Sequence, residues 1–115
     1  MAYPRRLPKR KYWYHGTTIE NAVKILDEGG LKNRVFGIYF ANTAQYAGGF
    51  ARQRSQHTQS NEIVVFKIPT KRLKNLELGT DHDPSFYPKD LVTAMTNELL
   101  VPVFREDICA HYIYD

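Results

Sequence analysis

Three short stretches of this chain carry side chains suited to holding and breaking down a ligand. They are His15-Gly16-Thr17, then Gly37-Ile38-Tyr39-Phe40-Ala41 running into Thr43-Ala44-Gln45-Tyr46, and Asn97-Glu98 ahead of Leu99-Leu100-Val101. A histidine at a strand-to-helix junction offers a ring nitrogen in a fixed direction, and the glycine behind it lets a ligand approach the backbone. Tyrosines offer flat faces that attract a planar cation, and a glutamate opening an apolar strand offers a negative charge near a dry site. Taken singly, each stretch also has an ordinary reading: a structural histidine, tyrosines packed in a core, and a solvated strand end.

Other clusters point less clearly to chemistry. Asp81-His82-Asp83 has the residue types of a metal site, but Gly79 and Pro84 around it make a turn the better reading, and no metal is expected. The single cysteine, Cys109, excludes an intrachain disulfide framework and a multi-cysteine zinc site. Between Ile108 and Ala110 it reads as a small core residue. Arg52 and Arg54 read as a solvated helix face or as contacts to a pyrophosphate or nucleic-acid backbone. No GxGxxG stretch supports a Rossmann-type dinucleotide site.

The elements that must position these residues follow from pattern. Residues 1–11, broken by Pro4 and Pro8 and rich in Lys and Arg, read as a flexible basic arm ahead of one domain over 12–115. Lys11-Tyr12-Trp13-Tyr14 is a strand candidate feeding His15. Thr17 and Glu20 have capping-box spacing, Ile19, Ala22, Ile25 and Leu26 recur at helical intervals, and Gly29-Gly30 supplies the stop. A second strand covers 37–40, and Thr43 opens a second helix to about Arg54, weakened by Gly48-Gly49. A Gln- and Ser-rich loop follows over 55–61. Residues 62–68 have the β-branched content of a central strand ended by Pro69. A short strand is expected over 76–78, and a short helix over 88–95 with Pro88 in its first turn. Strands over 98–104 and 108–114 close the chain, with Glu106-Asp107 as the turn between them. The expected class is α+β with mostly antiparallel pairing.

Composition sets the outer limits. With 115 residues, 43% hydrophobic and 24% charged, the chain can bury one real core, and its composition argues against disorder. Eight Tyr, six Phe and one Trp suit both a β-rich core and a ligand pocket. The net charge of +4 permits a polyanionic partner such as nucleic acid, although much of the excess sits between Arg5 and Lys11. No apolar run approaches the roughly 18 residues of a membrane helix, and no signal-peptide core follows the basic start. A cytoplasmic monomer with no membrane partner is the expectation, in a host cytoplasm if the source is viral.

Taken together and in order, the three stretches closely resemble the ADP-ribosyltransferase superfamily, in the diphtheria-toxin-like and poly(ADP-ribose)-polymerase branch whose signature is His, Tyr and Glu. The similarity spans residues 12–104. It implies two small, mostly antiparallel sheets around an NAD cleft, with two or three short helices. It also implies that His15 bonds the adenosine-side ribose of NAD and that Gly16 holds the nicotinamide carboxamide through its backbone, with Thr17 beside them. Tyr39 and Tyr46 would sandwich the nicotinamide, flanked by Ala41, with Thr43 bonding its amide. Glu98 would hold the 2′-hydroxyl of the nicotinamide ribose and stabilise the oxocarbenium-like centre formed as nicotinamide leaves.

The departures from the family matter too. The stretch from Tyr39 to Tyr46 is about one helical turn shorter than in the polymerases, which makes Phe50 the alternative stacking partner. Thr96, two before Glu98, replaces the Glu or Gln of the arginine-modifying toxins, and neither a regulatory helical domain nor a long acceptor loop is expected. The implied activity is mono-ADP-ribosyl transfer from NAD to DNA or RNA, a protein or a small molecule, with nucleic acid weakly favoured. The alternatives are an NAD-dependent RNA 2′-phosphotransferase-like enzyme, or an inactive module that binds NAD, ADP-ribose or nucleic acid.

Overall fold

The computed structural model describes residues 11–32, 38–55, 60–73, 78–79, 92–95 and 100–114. The expected arm over 1–11 falls outside these residues except for Lys11, whose carbonyl accepts a hydrogen bond from Thr70 N–H at 2.8 Å.

The chain opens with β1 (Tyr12–Thr18), longer than its aromatic start suggested, and passes directly into α1 (Ile19–Glu28). Thr18 caps this helix, its side chain accepting from Asn21 N–H, so the expected cap at Thr17 is displaced by one residue. The reason is register. Thr17 is still a strand residue, buried and paired with Val64, and its hydroxyl is not available to the helix end. Gly29 ends α1 in the left-handed region at φ 90°, its N–H bonding Ile25 O, where a glycine pays no Cβ penalty. Next come β2 (Gly30–Leu31), β3 (Ile38–Ala41), and α2 (Ala44–Arg54) capped by Thr43 as the sequence suggested.

The β-branched run becomes β4 (Glu62–Pro69), followed by a 3-10 turn at Thr70–Leu73 and β5 (Leu78–Gly79). The helix expected over 88–95 is absent at its C-terminal end. Val92–Met95 is instead strand β6, paired along its whole length with β3. Two of its four residues, Val92 and Thr93, are β-branched, and β3 has an open edge for them to fill. The closing strands do not form a hairpin. Within the described residues the first is only β7 (Val101–Pro102), paired with β2, while β8 (Ile108–Ile113) pairs with β4. Between them Arg105–Asp107 forms a 3-10 turn that passes from one sheet to the other.

Among the described residues all the pairings are antiparallel, in a six-stranded sheet ordered β5-β6-β3-β1-β4-β8 and a two-stranded sheet β2-β7. This is the expected α+β class, with two antiparallel sheets of unequal size. β4 is buried on both faces. Val64, Phe66 and Ile68 join Trp13, Phe40, Leu31, Leu73, Val101 and Val103 beneath α1 and the small sheet. Ile63 and Val65 join Ala41, Ala47 and Ala51 beneath α2. The apolar side of α1 is the expected one: Ala22 is buried, and Ile19, Ile25 and Leu26 pack against the first cluster.

Arg72 fastens the two 3-10 turns together. It donates to both carboxylate oxygens of Asp107, at 2.6 and 3.3 Å, and to Pro102 O at 3.2 Å. Its guanidinium also lies 5.1 Å from the Phe104 ring centroid. Burial alone would raise the Asp107 pKa, but hydrogen bonds from Arg72 and Phe104 N–H, with the Arg72 charge, outweigh it and hold the group below its ordinary value. Cys109 is exposed, not in the core. The ladder slips between Val65 and Phe66, which pair with Ala110 and Ile108, so Cys109 is the extra residue of a bulge.

Candidate functional site

His15 lies midway along β1, between β4 and β3. β1 and β4 pair without interruption from Tyr12–Pro69 to Thr18–Ile63. On the other side, β1 and β3 share one pair, Tyr14 with Ala41. Beyond it no further pair joins them among the described residues, although β3 remains paired with β6 at all four positions. The sheet therefore parts between its two central strands at the level of His15 and Tyr39.

A side chain bridges that parting. His15 Nδ1 lies 2.9 Å from Tyr39 O, and because a carbonyl only accepts, Nδ1 carries the proton. In the neutral ring this assigns the acceptor role to Nε2. Phe40 holds the imidazole from the side, ring centroids 5.9 Å apart at a tilt of 59°. The Tyr39 ring takes the opposite face of the sheet, toward α2, where it meets Phe50 at 5.4 Å and 55°. The first two motifs are thus joined through a backbone carbonyl, their side chains facing opposite sides of the strand pair.

Phe50, not Tyr46, is the ring against Tyr39. Tyr46 stands 53% exposed one turn earlier on α2. In direct contact, the Tyr39 and Phe50 rings leave no ring-wide slot between them. A planar ligand would stack on an outer face or displace Phe50. Thr43 Oγ1 accepts from Tyr46 N–H at 3.1 Å, so it serves as helix cap while its hydroxyl proton remains available to donate. Ala41 is buried opposite Tyr14 under α2, and Thr17 is buried beside Val64; neither presents its side chain at the surface.

Gly16 has a packing reason to be glycine. A Cβ there would lie 2.2 Å from Ala47 O, so α2 rests directly on the β1 backbone. The small residues Ala47, Gly48 and Ala51 on the inner side of α2 permit this approach, and a Cβ on Gly48 would lie 2.8 Å from the Tyr112 ring. Tyr114 is also close to Gly48, with Arg52 5.9 Å from its ring centroid. Burial, then the neighbouring Tyr112, raise the Tyr114 pKa above its ordinary value, partly offset by the Arg52 charge.

Glu98, Thr96 and Gly37 lie outside the described residues, as does Asp81-His82-Asp83. Glu98 follows Met95 by three residues, and Met95 is the register partner of Ile38, next to Tyr39. The sequence reading missed the Arg72–Asp107 clasp, since a pair 35 residues apart leaves no periodic trace. It named Gly48 and Gly49 only as helix weakeners, whereas Gly48 proves to be a packing position. No protein-family model matches the chain, and no curated protein matches it.

Proposed function

We propose that this chain is an NAD-dependent mono-ADP-ribosyltransferase. The observation that carries the reading is the 2.9 Å bond from His15 to the Tyr39 carbonyl across a parted strand pair. It joins two of the three motifs and fixes the direction of the imidazole beside the parting. Tyr39 and Phe50 add an aromatic surface on the other side of the same parting, suited to a flat pyridinium.

In the proposed reaction the bond from C1′ of the nicotinamide ribose to the nicotinamide nitrogen breaks, and its electron pair leaves with nicotinamide. The nucleophilic atom of the acceptor forms a new bond to C1′ and gives up its proton. His15 holds the adenosine-side ribose, and Thr43 donates to the carboxamide. Glu98 supplies the fixed negative charge that favours positive charge building at C1′, an effect worth most in a site that excludes water. No metal enters this scheme.

The test is incubation with NAD labelled in its adenosine half, followed by separation of DNA, RNA and protein pools and assay of free nicotinamide. Nicotinamide is released and label enters one pool, and Glu98→Gln lowers both by at least about 100-fold, the scale of losing one electrostatic stabiliser, with the melting temperature retained. A wild-type protein that neither releases nicotinamide nor transfers label ends the proposal. If it still gains melting temperature with NAD, the inactive binding module replaces it.

A further inference from the structure

Phe50 lies on Tyr39 where a planar ligand would, ring against ring at 5.4 Å and 55°. Two parallel rings that enclose a third stand about 7 Å apart, since each contact needs about 3.5 Å. Admitting a flat ligand between Tyr39 and Phe50 therefore requires about 1.6 Å of separation and a rotation that brings the rings parallel. The helix is badly placed to supply it. The Ala47 carbonyl of α2 rests directly on Gly16, and Ala47, Gly48 and Ala51 are buried against the sheet. Lifting α2 would also uncover Ile63 and Val65, which pack with Ala47 and Ala51.

The Phe50 side chain has the room that the helix lacks. It is half-buried, and a helical aromatic has two permitted χ1 positions, near 180° and −60°, so its ring can swing with no backbone movement. Beside it on the helix, a Cβ on Gly49 would meet nothing within 4 Å among the described residues. The ring on the Tyr39 face is thus the part of this contact that can give way to a ligand.

We propose that Phe50 is a built-in competitor for the Tyr39 face: a planar aromatic cation takes its place by ring exchange, and a neutral ring yields the place back. The cause is charge. Phe50 and a neutral aromatic ligand offer Tyr39 the same kind of contact, a ring pair, whereas a cation adds attraction to the electron-rich face. That the cation is the nicotinamide end of NAD rests on the transferase reading above; the exchange does not. On that reading the pyridinium of NAD displaces Phe50. When the bond to C1′ breaks, its electron pair leaves with nicotinamide, which is then neutral, and Phe50 returns to Tyr39 as the product departs. Phe50 thereby lowers the hold of the site on its product, a task different from that of a second wall in a sandwich.

The test is titration with the 1-methylnicotinamide cation and with neutral nicotinamide, read by NMR. It uses wild type, Phe50→Ala, Tyr39→Leu and the surface control Val23→Ala on α1. Wild type and the control bind the cation about threefold or more tightly than the neutral ring. Phe50→Ala binds both about threefold to tenfold more tightly than wild type, because the competitor is gone, and a gain of affinity cannot come from unfolding. Tyr39→Leu weakens both and erases the preference. In wild type, nuclear Overhauser contacts between the Phe50 and Tyr39 rings disappear as the cation saturates the site, a reading that needs no variant to fold. Contacts that persist at saturation overturn the proposal, as does a wild type that binds neither ligand or binds both equally. So does a folded Phe50→Ala protein that binds as wild type does or more weakly, the mark of a sandwich partner. Exchange in the expected pattern without nicotinamide release from NAD removes the transferase reading alone. Release from NAD with no gain of affinity in Phe50→Ala removes the exchange alone.

Discussion

Replacing Gly16 by alanine separates two tasks that a glycine beside His15 could perform. If it serves only to admit a ligand to the backbone, alanine leaves the fold intact and harms binding alone. The structure argues for packing as well. The added Cβ would stand 2.2 Å from Ala47 O, where contacts below 3.0 Å essentially never occur, so α2 must retreat by about 0.8 Å. The obstacle is backbone carbonyl on a helix that also packs against β4, and a rotamer change cannot relieve it. Overpacking of this kind costs roughly 1–3 kcal/mol. At about 4 °C per kcal/mol for a domain of this size, the melting temperature falls by roughly 4–12 °C. Thr43 caps the same helix, so the retreat also shifts the proposed donor to the carboxamide, and misplacements near 1 Å cost up to about 100-fold in activity. Thermal unfolding by circular dichroism reads the first effect and nicotinamide release from NAD the second. A Gly16→Ala protein that melts where wild type does refutes the packing argument, whatever its activity.

Thr18→Ala removes the cap of α1 and lowers stability by about 1 kcal/mol in urea unfolding, while Thr43→Ala does the same for α2. Gly49→Ala raises stability by about 1 kcal/mol, seen as a higher melting temperature, because the added methyl meets nothing within 4 Å among the described residues. The folded pKa of Asp107 lies below its unfolded value, so its contribution is fully present above the ordinary carboxylate range and is lost as pH falls through the folded value. Asp107→Asn therefore destabilises the protein at pH 7 and much less at pH 2–3, as paired denaturant titrations would show. Burial raises the Cys109 pKa, only partly countered by Lys67, so its alkylation at pH 7.5 runs slower than that of a free thiol and gains rate at higher pH.

What could be read from the sequence was what is local. The face of α1, its left-handed glycine stop, the Thr43 cap and the β-branched run of β4 all depend on residues within a turn or two of each other. Errors arose where a distant partner decided the outcome. Thr17 had the spacing of a cap, but pairing with Val64 kept it in β1. Val92–Met95 became a strand because β3 offered an edge. Cys109 lies on the edge strand β8, none of whose residues is buried. Of the candidate site, the strand ends holding His15 and Tyr39 were legible from their motifs. The carbonyl link between them was not, since no side-chain pattern marks a backbone acceptor.

The pairing of β1 with β4 has a consequence for how the molecule is made. Each β1 residue finds its β4 partner between 45 and 57 positions later in the chain, and β4 in turn waits for β8. At roughly 5–20 residues per second, several seconds of synthesis separate the two halves of this ladder. Through that interval β1 has only the single Tyr14–Ala41 pair with β3 within reach, while α1, with both ends capped by its own residues, can close early. Such distant pairings also place refolding in the slow range of milliseconds to seconds. The β1–β4–β8 side of the sheet is thus among the last regions of the protein to take shape, whereas the link from His15 to Tyr39 spans only 24 positions.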